Sequence, residues 1–364
     1  MGNIAAAEGA LAAGCRFFGG YPITPSSEIM EHMAKVLPGK GGVFMQMEDE
    51  LGSIAAVVGA SWAGAKAMTA TSGPGFSLMQ ETIGYAAITE TPCVIIDVQR
   101  AGPATGQATR PGSGDIIQAK HGSHGDYEII ALAPSSVQEM YDLTIRAFNL
   151  SEKFRVPTFV MTDEGIGHLR EGAVLHKDFE TINRRKEPGT MPFDTDDPLF
   201  VPPMPIFGDG ENLLVTGSTH DGWGYRKVEQ PEVHERLVKR LRQKILDHRD
   251  EIIETSEDFT KDAELLVIAY GFVARSARKA VKVLREKGYK AGLLRLKTLW
   301  PFPKDIVARL TSVAHKVIVP EMNYGQVAGE VAKVSKSEVI PYCRVNGEVI
   351  SSIELIRELE RHVS

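Results

Sequence analysis

The sequence predicts an α/β protein: a parallel-sheet domain and a second, smaller α/β domain, joined by an extended arm. Three observations predict it. Short β-branched runs alternate with helical stretches over residues 1–172. Periodicity then fails over 173–258, where prolines and acids accumulate before one charged helix. The alternation resumes over 259–364.

The elements follow in order. Asn3 to Ala13 is Ala-rich and helix-prone, with Asn3 as the expected N-cap. Cys15 to Gly20 is a short apolar run that Tyr21-Pro22 ends, and Ser26 to Val36 reads as a helix. Val43 to Met47 reads as a strand, and the Ala/Val-rich Asp49 to Ala63 fits a buried helix. Lys66 to Thr71 is a strand, Gly73-Pro74-Gly75 a turn, Phe76 to Ile88 a helix and Cys93 to Val98 a β-branched strand. Ser136 to Phe154 is an amphipathic helix and Pro157 to Met161 a strand. In the arm, Pro231 to Ile253 reads as a helix whose Val233, Leu237, Leu241 and Ile245 make one narrow apolar stripe. That stripe either packs on its own chain or docks another subunit. The last part gives strands at Glu264 to Tyr270, Ala291 to Leu296 and Lys316 to Pro320. Its helices are expected at Val273 to Glu286, Pro303 to Leu310 and Ser351 to His362.

Composition narrows the function. With 43% hydrophobic and 24% charged residues, the 364-residue chain has an ordinary globular make-up. A net charge of −6 without a long basic run argues against nucleic acid as the main partner. The short cluster Arg184-Arg185-Lys186 reads as a solvated loop. No apolar stretch reaches membrane-span length, and no basic region followed by an apolar core marks a signal peptide. A cytoplasmic protein that avoids membranes is expected. Cys15, Cys93 and Cys343 are scattered, which disfavours a disulfide framework and an iron–sulfur cluster held by this chain alone.

In open α/β sheets, ligands bind beyond the carboxyl ends of the strands. Four segments should therefore converge: Tyr21 to Ser27, Glu48-Asp49-Glu50, Ser72 to Phe76, and Arg100 with the Gly/Thr-rich loop to Asp115. Pro25-Ser26-Ser27 alone could be a turn and helix start. Glu48 and Asp49 could be first-turn acids complementing a helix dipole. Glu50 precedes an apolar helix, where a dry setting would raise its pKa and let it share a proton with a ligand nitrogen. Gly73-Pro74-Gly75 lacks the Walker lysine and reads as a tight turn rather than a phosphate cradle. Arg100 is either a surface ion pair or a bidentate grip on a carboxylate. His121 and His124 show no third ligand, so no metal site is assigned. No G-x-G-x-x-G joins a strand to a helix, which argues against a nicotinamide fold.

These segments resemble the 2-oxoacid:ferredoxin oxidoreductase family. Gly20 to Ser27 looks like that family's pyrimidine-domain signature, and Glu50 to Ala60 like the segment that opens on its cofactor-activating glutamate. Thr71 to Phe76 resembles a turn shared among thiamine diphosphate enzymes. Thr24 and Arg100 match the family's substrate-contacting threonine and arginine. Leu296 to Pro303 and Pro320 to Gly325 resemble its transketolase-C-terminal-like domain. Gly106 to Pro111 and Ser123 to Asp126 bring the chain nearest to the alpha subunits that act on 2-oxoglutarate.

The resemblance implies a thiamine-pyrimidine-binding domain over 1–172, a linker and arm over 173–258 and a transketolase-C-terminal-like domain over 259–364. It implies thiamine diphosphate shared with a beta subunit, the pyrimidine being held here by Tyr21, Pro22, Ile23, Thr24, Glu50, Ser72 and Gly73. Glu50, Thr24 and Arg100 would be the catalytic set, and Thr24 with Arg100 would hold the substrate's first carboxylate. Mg²⁺ and an iron–sulfur cluster are expected on partner subunits: beta, gamma and a ferredoxin-like delta. Ferredoxin and coenzyme A would complete the reaction. A buried distal carboxylate also needs a cation; Arg110 is the first candidate, with Lys120, His121, His124 or a beta-subunit residue as others. Enzymes of this family acting on pyruvate or branched-chain 2-oxoacids, and non-oxidative thiamine enzymes, are the alternatives.

Overall fold

The computed structural model describes residues 1–363. Its first half runs α1 (Gly2–Ala12), β1 (Phe17–Gly20), α2 (Ser27–Val36), β2 (Val43–Gln46), α3 (Glu50–Trp62), β3 (Ala67–Thr71), α4 (Gly73–Ile88) and β4 (Cys93–Ala101). It continues with β5 (Gln107–Pro111), α5 (Ile116–His121), β6 (Ile130–Leu132), α6 (Val137–Phe154), β7 (Pro157–Asp163) and α7 (Glu164–Gly167). After the arm come α8 (Pro231–Leu246), α9 (Arg249–Ile252), β8 (Thr255–Asp258), β9 (Leu265–Ala269), α10 (Gly271–Glu286), β10 (Ala291–Leu296) and β11 (Thr298–Trp300). The chain closes with α11 (Lys304–Thr311), β12 (Lys316–Glu321), α12 (Gln326–Val334), β13 (Glu338–Cys343) and α13 (Ser352–Glu360).

The first sheet has the order β11-β6-β7-β4-β3-β1-β2, with β5 hooked antiparallel onto the end of β4. The pairs from β6 through β2 are parallel. That direction puts the carboxyl ends of β1 to β4 on one edge. β4 is central because its side chains are buried from Cys93 through Arg100. The second sheet has the order β13-β12-β9-β10-β8 and is parallel except at β8. Two features cross the expected boundaries. β8 lies within the segment read as an arm, and β11 leaves the second domain to pair antiparallel with β6. One apolar cluster accordingly runs from Phe76 and Phe159 through Trp300 to Ile268 and Leu294.

Local chemistry explains most element ends, with three corrections. Asn3 lies inside α1 rather than capping it, because the helix starts at Gly2. Gly73-Pro74-Gly75 is the first turn of α4, proline being tolerated there since the first helical N–H groups have no intrahelical partner. The helix expected to Ile253 breaks after Leu246 and restarts at Arg249.

Between 168 and 230 the chain has no helix and no strand longer than the bridge His220–Arg226, as its composition predicted. It is nevertheless anchored. Arg184, expected in a solvated loop, is buried: it pairs with Glu152 at 2.7 Å and donates to the Ser61 and Ala65 carbonyls at 2.9 and 2.7 Å. Arg155 donates to the carbonyls of Glu90, Pro192 and Pro203 at 3.1, 2.7 and 2.9 Å. Helix α8 turns Leu237, Leu241 and Ile245 inward, so its stripe packs on its own chain. From the same helix, Arg240 and Lys244 reach the fully buried Glu90, Lys244 at 2.8 Å.

Two cations and a neighbouring guanidinium hold the Glu90 carboxyl far below the usual carboxylate range, overcoming the opposing effect of burial. Its stabilising contribution is therefore present above the unfolded-state pKa and disappears as pH falls toward the depressed folded value. Glu90→Gln strands two buried cations and should cost about 3–5 kcal/mol. Urea unfolding at neutral pH checks this, and the difference from wild type should shrink in acid.

Candidate active site

The site is built where β1, β2, β3 and β4 end. After β1 the chain turns through Tyr21 to Ser26. Ser26 Oγ donates to the Ile23 carbonyl at 2.8 Å, and Asn3 Nδ2 donates to the Pro25 carbonyl at 2.8 Å. Asn3 is fully buried, so helix α1 positions this loop from below. Thr24 is exposed, and its backbone carbonyl accepts from Arg100 Nη1 at 2.8 Å.

The three acids after β2 divide their roles. Glu48 is exposed. Asp49 caps α3, its Oδ1 accepting the Gly52 N–H at 2.7 Å. Glu50 begins the helix and is only 5% exposed, although its helix dipole would favour a solvated anion. Burial pushes its carboxyl up, Asp49 adds to that, and Arg100 opposes it. Gly75 explains how the carboxyl fits: a Cβ there would stand 2.4 Å from Glu50 Oε1 and 2.3 Å from Thr71 Oγ1.

Around this point several buried polar atoms lack a hydrogen-bond partner among the described residues: Thr71 Oγ1, Ser72 Oγ and Arg100 Nε. Groups of this kind are costly unless a ligand or water satisfies them. Arg100 is itself 7% exposed, and burial lowers its pKa against the pull of Asp115 and Glu50. It opens onto a cavity of about 450 Å³ that lies between the two domains. Gly73, Ser77, Asp115 and Gln118 line one side, and Asn323, Tyr324 and Gln326 the other.

The resident chemistry suits a nitrogen heterocycle beside a carboxylate. A carboxyl with a raised pKa can donate or share a proton, and a buried guanidinium can grip an anion. Among the described residues there is no cluster of metal-ligating side chains.

Two family models match. The one described as pyruvate flavodoxin/ferredoxin oxidoreductase, thiamine diphosphate-binding, covers residues 8–240. The pyruvate:ferredoxin oxidoreductase core domain II covers 263–355. The chain belongs to this oxidoreductase family. It is 56% identical over 98% of its length, and 97% of the relative's, to the 2-oxoglutarate synthase subunit KorA of Methanocaldococcus jannaschii. It matches a 2-oxoglutarate:ferredoxin oxidoreductase of Magnetococcus marinus, solved with 2-oxoglutarate, coenzyme A and succinyl-CoA, with TM-score 0.93 and 32% identity. That match covers 99% of this chain and 64% of the solved one. A split-gene transketolase in an inactive tetramer shares the fold at TM-score 0.57 and 12% identity, covering 98% of this chain and 96% of that one. The α/β fold with a transketolase-like second domain is thus established.

Within this oxidoreductase frame, the sequence candidates separate. Tyr21 to Thr24, Glu50, Ser72, Gly73 and Arg100 come to one edge. Of the loop cations, Lys120, His121 and His124 do not. Lys120 pairs with Glu128 at 2.9 Å, and the His121 ring stands edge-on to Trp300. His124 faces a different cavity, of about 370 Å³, beside Gly84 and His234. Gly84 lies 11 residues along α4 from Gly73, about 16 Å away at helical rise. Arg110 is exposed on β5, its Cβ beside Gly347 at the rim of the Arg100 cavity. Sequence reasoning passed over Asn3 as a support for the Thr24 loop, Gly75 as the space for Glu50, and the acids Asp97 and Asp115. The glycine and the end-of-strand acids were visible as residue types; their closeness was not.

Gly75→Ala should displace the Glu50 carboxyl or the Thr71 hydroxyl, costing about 1–3 kcal/mol in overpacking. Thermal unfolding should show that modest loss. Turnover in the assembled enzyme should fall more than tenfold, about 1.4 kcal/mol of barrier or above.

Proposed function

We propose that this chain is the alpha subunit of a cytoplasmic 2-oxoglutarate:ferredoxin oxidoreductase. The complex converts 2-oxoglutarate and coenzyme A to succinyl-CoA and CO₂, with reversible reduction of ferredoxin. The observation that carries the reading is a buried Glu50, its carboxyl pKa raised by desolvation, near a buried Arg100 at one strand edge. The 56% identity to a 2-oxoglutarate synthase subunit supports the choice of substrate over pyruvate or branched-chain 2-oxoacids.

Thiamine diphosphate, when bound, supplies the carbon nucleophile and the electron sink for decarboxylation. This chain's residues supply position and protonation. Glu50 would share a proton with a ring nitrogen of the pyrimidine, and Gly75 leaves its carboxyl the room. Tyr21, Pro22, Ile23, Ser72 and Gly73 would border that ring. Arg100, steadied by the Thr24 carbonyl, takes the substrate's first carboxylate, and Thr24 contacts it as well.

The chain is completed by partners in this reading. Helix α3 has no charged residue from Leu51 to its end, yet it leaves Leu51, Ala55 and Gly59 exposed, and Val43 and Met45 are exposed on the adjoining edge strand. A beta subunit covering that face would bring Mg²⁺, the diphosphate site and an iron–sulfur cluster beside Glu50. Gamma and ferredoxin-like delta subunits would carry the remaining electron and coenzyme A functions. The cation for the distal carboxylate is either Arg110 at the rim or a residue of beta.

Viologen reduction by the native complex with coenzyme A tests the reading. Turnover is expected chiefly with 2-oxoglutarate, and none from this chain alone. Preference for pyruvate or 2-oxoisovalerate would change the substrate. Iron-free partners would point to a non-oxidative thiamine enzyme. Glu50→Gln should lower kcat by about 10²–10⁴; unchanged turnover would indicate a purely structural subunit. Arg110→Ala should raise KM for 2-oxoglutarate selectively, whereas an unchanged KM would assign the cation to beta.

A further inference from the structure

Near Arg100 lie two acids that the proposed reaction does not use. Asp97 is in the middle of β4, in register with Thr71 on one side and Met161 on the other, and is 0% exposed. Among the described residues no side-chain donor reaches either of its oxygens. Asp115 comes back to it after the β5 hairpin. Gln99 Oε1 accepts the Asp115 N–H at 3.0 Å and fixes that return. Asp115 Oδ2 is likewise buried without a partner among the described residues, and the two carboxyls are neighbours beside the backbone of Gly73. Asp115 also lines the cavity onto which Arg100 opens.

Two adjacent carboxyls in a dry site with no donors to their oxygens cannot both ionise, so one of them keeps a proton. Burial pushes Asp97 well above the usual carboxylate range, and Asp115 up to about 6. At neutral pH the pair thus holds one proton and one negative charge. Arg100 is the cation whose charge acts on Asp115, and it acts on Glu50 as well. Gln99 and Gln118 are neutral. The other titratable groups on the packed elements are Asp163 on β7, in register with Gln99 and bonded to the Ile166 and Phe272 N–H groups, and Tyr270 with Glu321, bonded to each other at 2.9 Å behind Ser113.

An arriving substrate carboxylate would place a second anion against the same buried guanidinium. We propose that Asp97 and Asp115 act as one proton-sharing pair that sets the charge balance at Arg100, and that the pair takes up a proton from solvent when the 2-oxoacid carboxylate binds. Only an O–H bond forms: the carboxylate of the pair becomes a second carboxylic acid, and the net charge around Arg100 is restored. Both acids are positioning residues. The inference rests on the assignment of Arg100 to the substrate's first carboxylate.

The assembled complex with thiamine diphosphate is assayed by viologen reduction against 2-oxoglutarate, from below pH 6 to about pH 8.5. Wild-type KM should be lowest below about pH 6 and rise with pH, by at most about tenfold per unit for a single proton. Titration of Glu50 would register in kcat instead. The two variants should move in opposite directions. Asp115→Asn removes the competing charge, so KM at high pH should fall and its pH dependence flatten. Asp97→Asn donates to Asp115 and keeps it ionised, so KM at low pH should rise to the wild-type high-pH value. In both, KM should change more than kcat. A second measurement needs no variant: without coenzyme A and acceptor, adding 2-oxoglutarate to the wild-type complex at pH 7.5 should raise its protonated-carboxyl infrared band. A pH-independent wild-type KM, shifts of the same sign in both variants, or an unchanged infrared band would overturn the pair while leaving the proposed function standing. Absence of turnover with any 2-oxoacid would overturn the functional reading, and this inference with it.

Discussion

The parallel pairing of β1, β2, β3 and β4 is the constraint on which the rest of the site depends. Parallel strands send every carboxyl end to one edge, and each must return across the face of the sheet through a helix. The Thr24 loop, Glu50, Gly75 and Arg100 are far apart in the chain and meet only because four strands end together. The short hooked strand β5 then folds the loop after Arg100 back, which brings Asp115 into the wall of the same cavity as Arg100.

Burial converts ordinary side chains into unusual ones along this edge. Glu50, Asp97 and Asp115 all have raised carboxyl pKa values, with desolvation the largest cause in each, whereas Glu354, on the surface and bonded to Ser351 and Arg344, is lowered to about 2. The contrast is one of partners and water. An exposed acid is kept ionised by donors; a buried acid without a cation keeps a proton.

Buried charge also joins the parts of the molecule. Asp163, at the end of β7, accepts the Ile166 N–H at 3.0 Å and the Phe272 N–H at 3.1 Å, so one carboxyl caps helices in both domains. Glu321 accepts the Val327 and Ala328 N–H groups, each at 2.9 Å, at the start of α12. These helix termini are already satisfied by carboxylates of the chain itself. In the arm, Arg155, Arg184, Arg240 and Lys244 play the corresponding part, binding carbonyls and acids that an extended segment would otherwise leave unpaired. An irregular arm is held in one conformation by a few charged contacts where a helix would use its own ladder.

By itself the sequence determined the alternation of strands and helices, the irregular arm, and the residue types at the strand ends. Periodicity and β-branching are local properties, so β4, α6 and β10 were legible without a partner in view. The short elements β5, β6, β8 and β11 were not, since three to five residues carry no period and are strands only because a neighbour pairs with them. Tyr21 to Thr24, Glu50 and Arg100 were legible as a site because each follows a strand. Asn3 read as a cap and Arg184 as a solvated residue, because spacing along the chain does not show that Pro25 or Glu152 waits opposite. Tertiary structure alone decided which acid caps α3, which acid is buried beside Gly75, and that Asp97 and Asp115 share a site. The physical reason is the same throughout: dielectric surroundings and hydrogen-bond partners are set by residues distant in sequence, whereas propensity is set by adjacent ones.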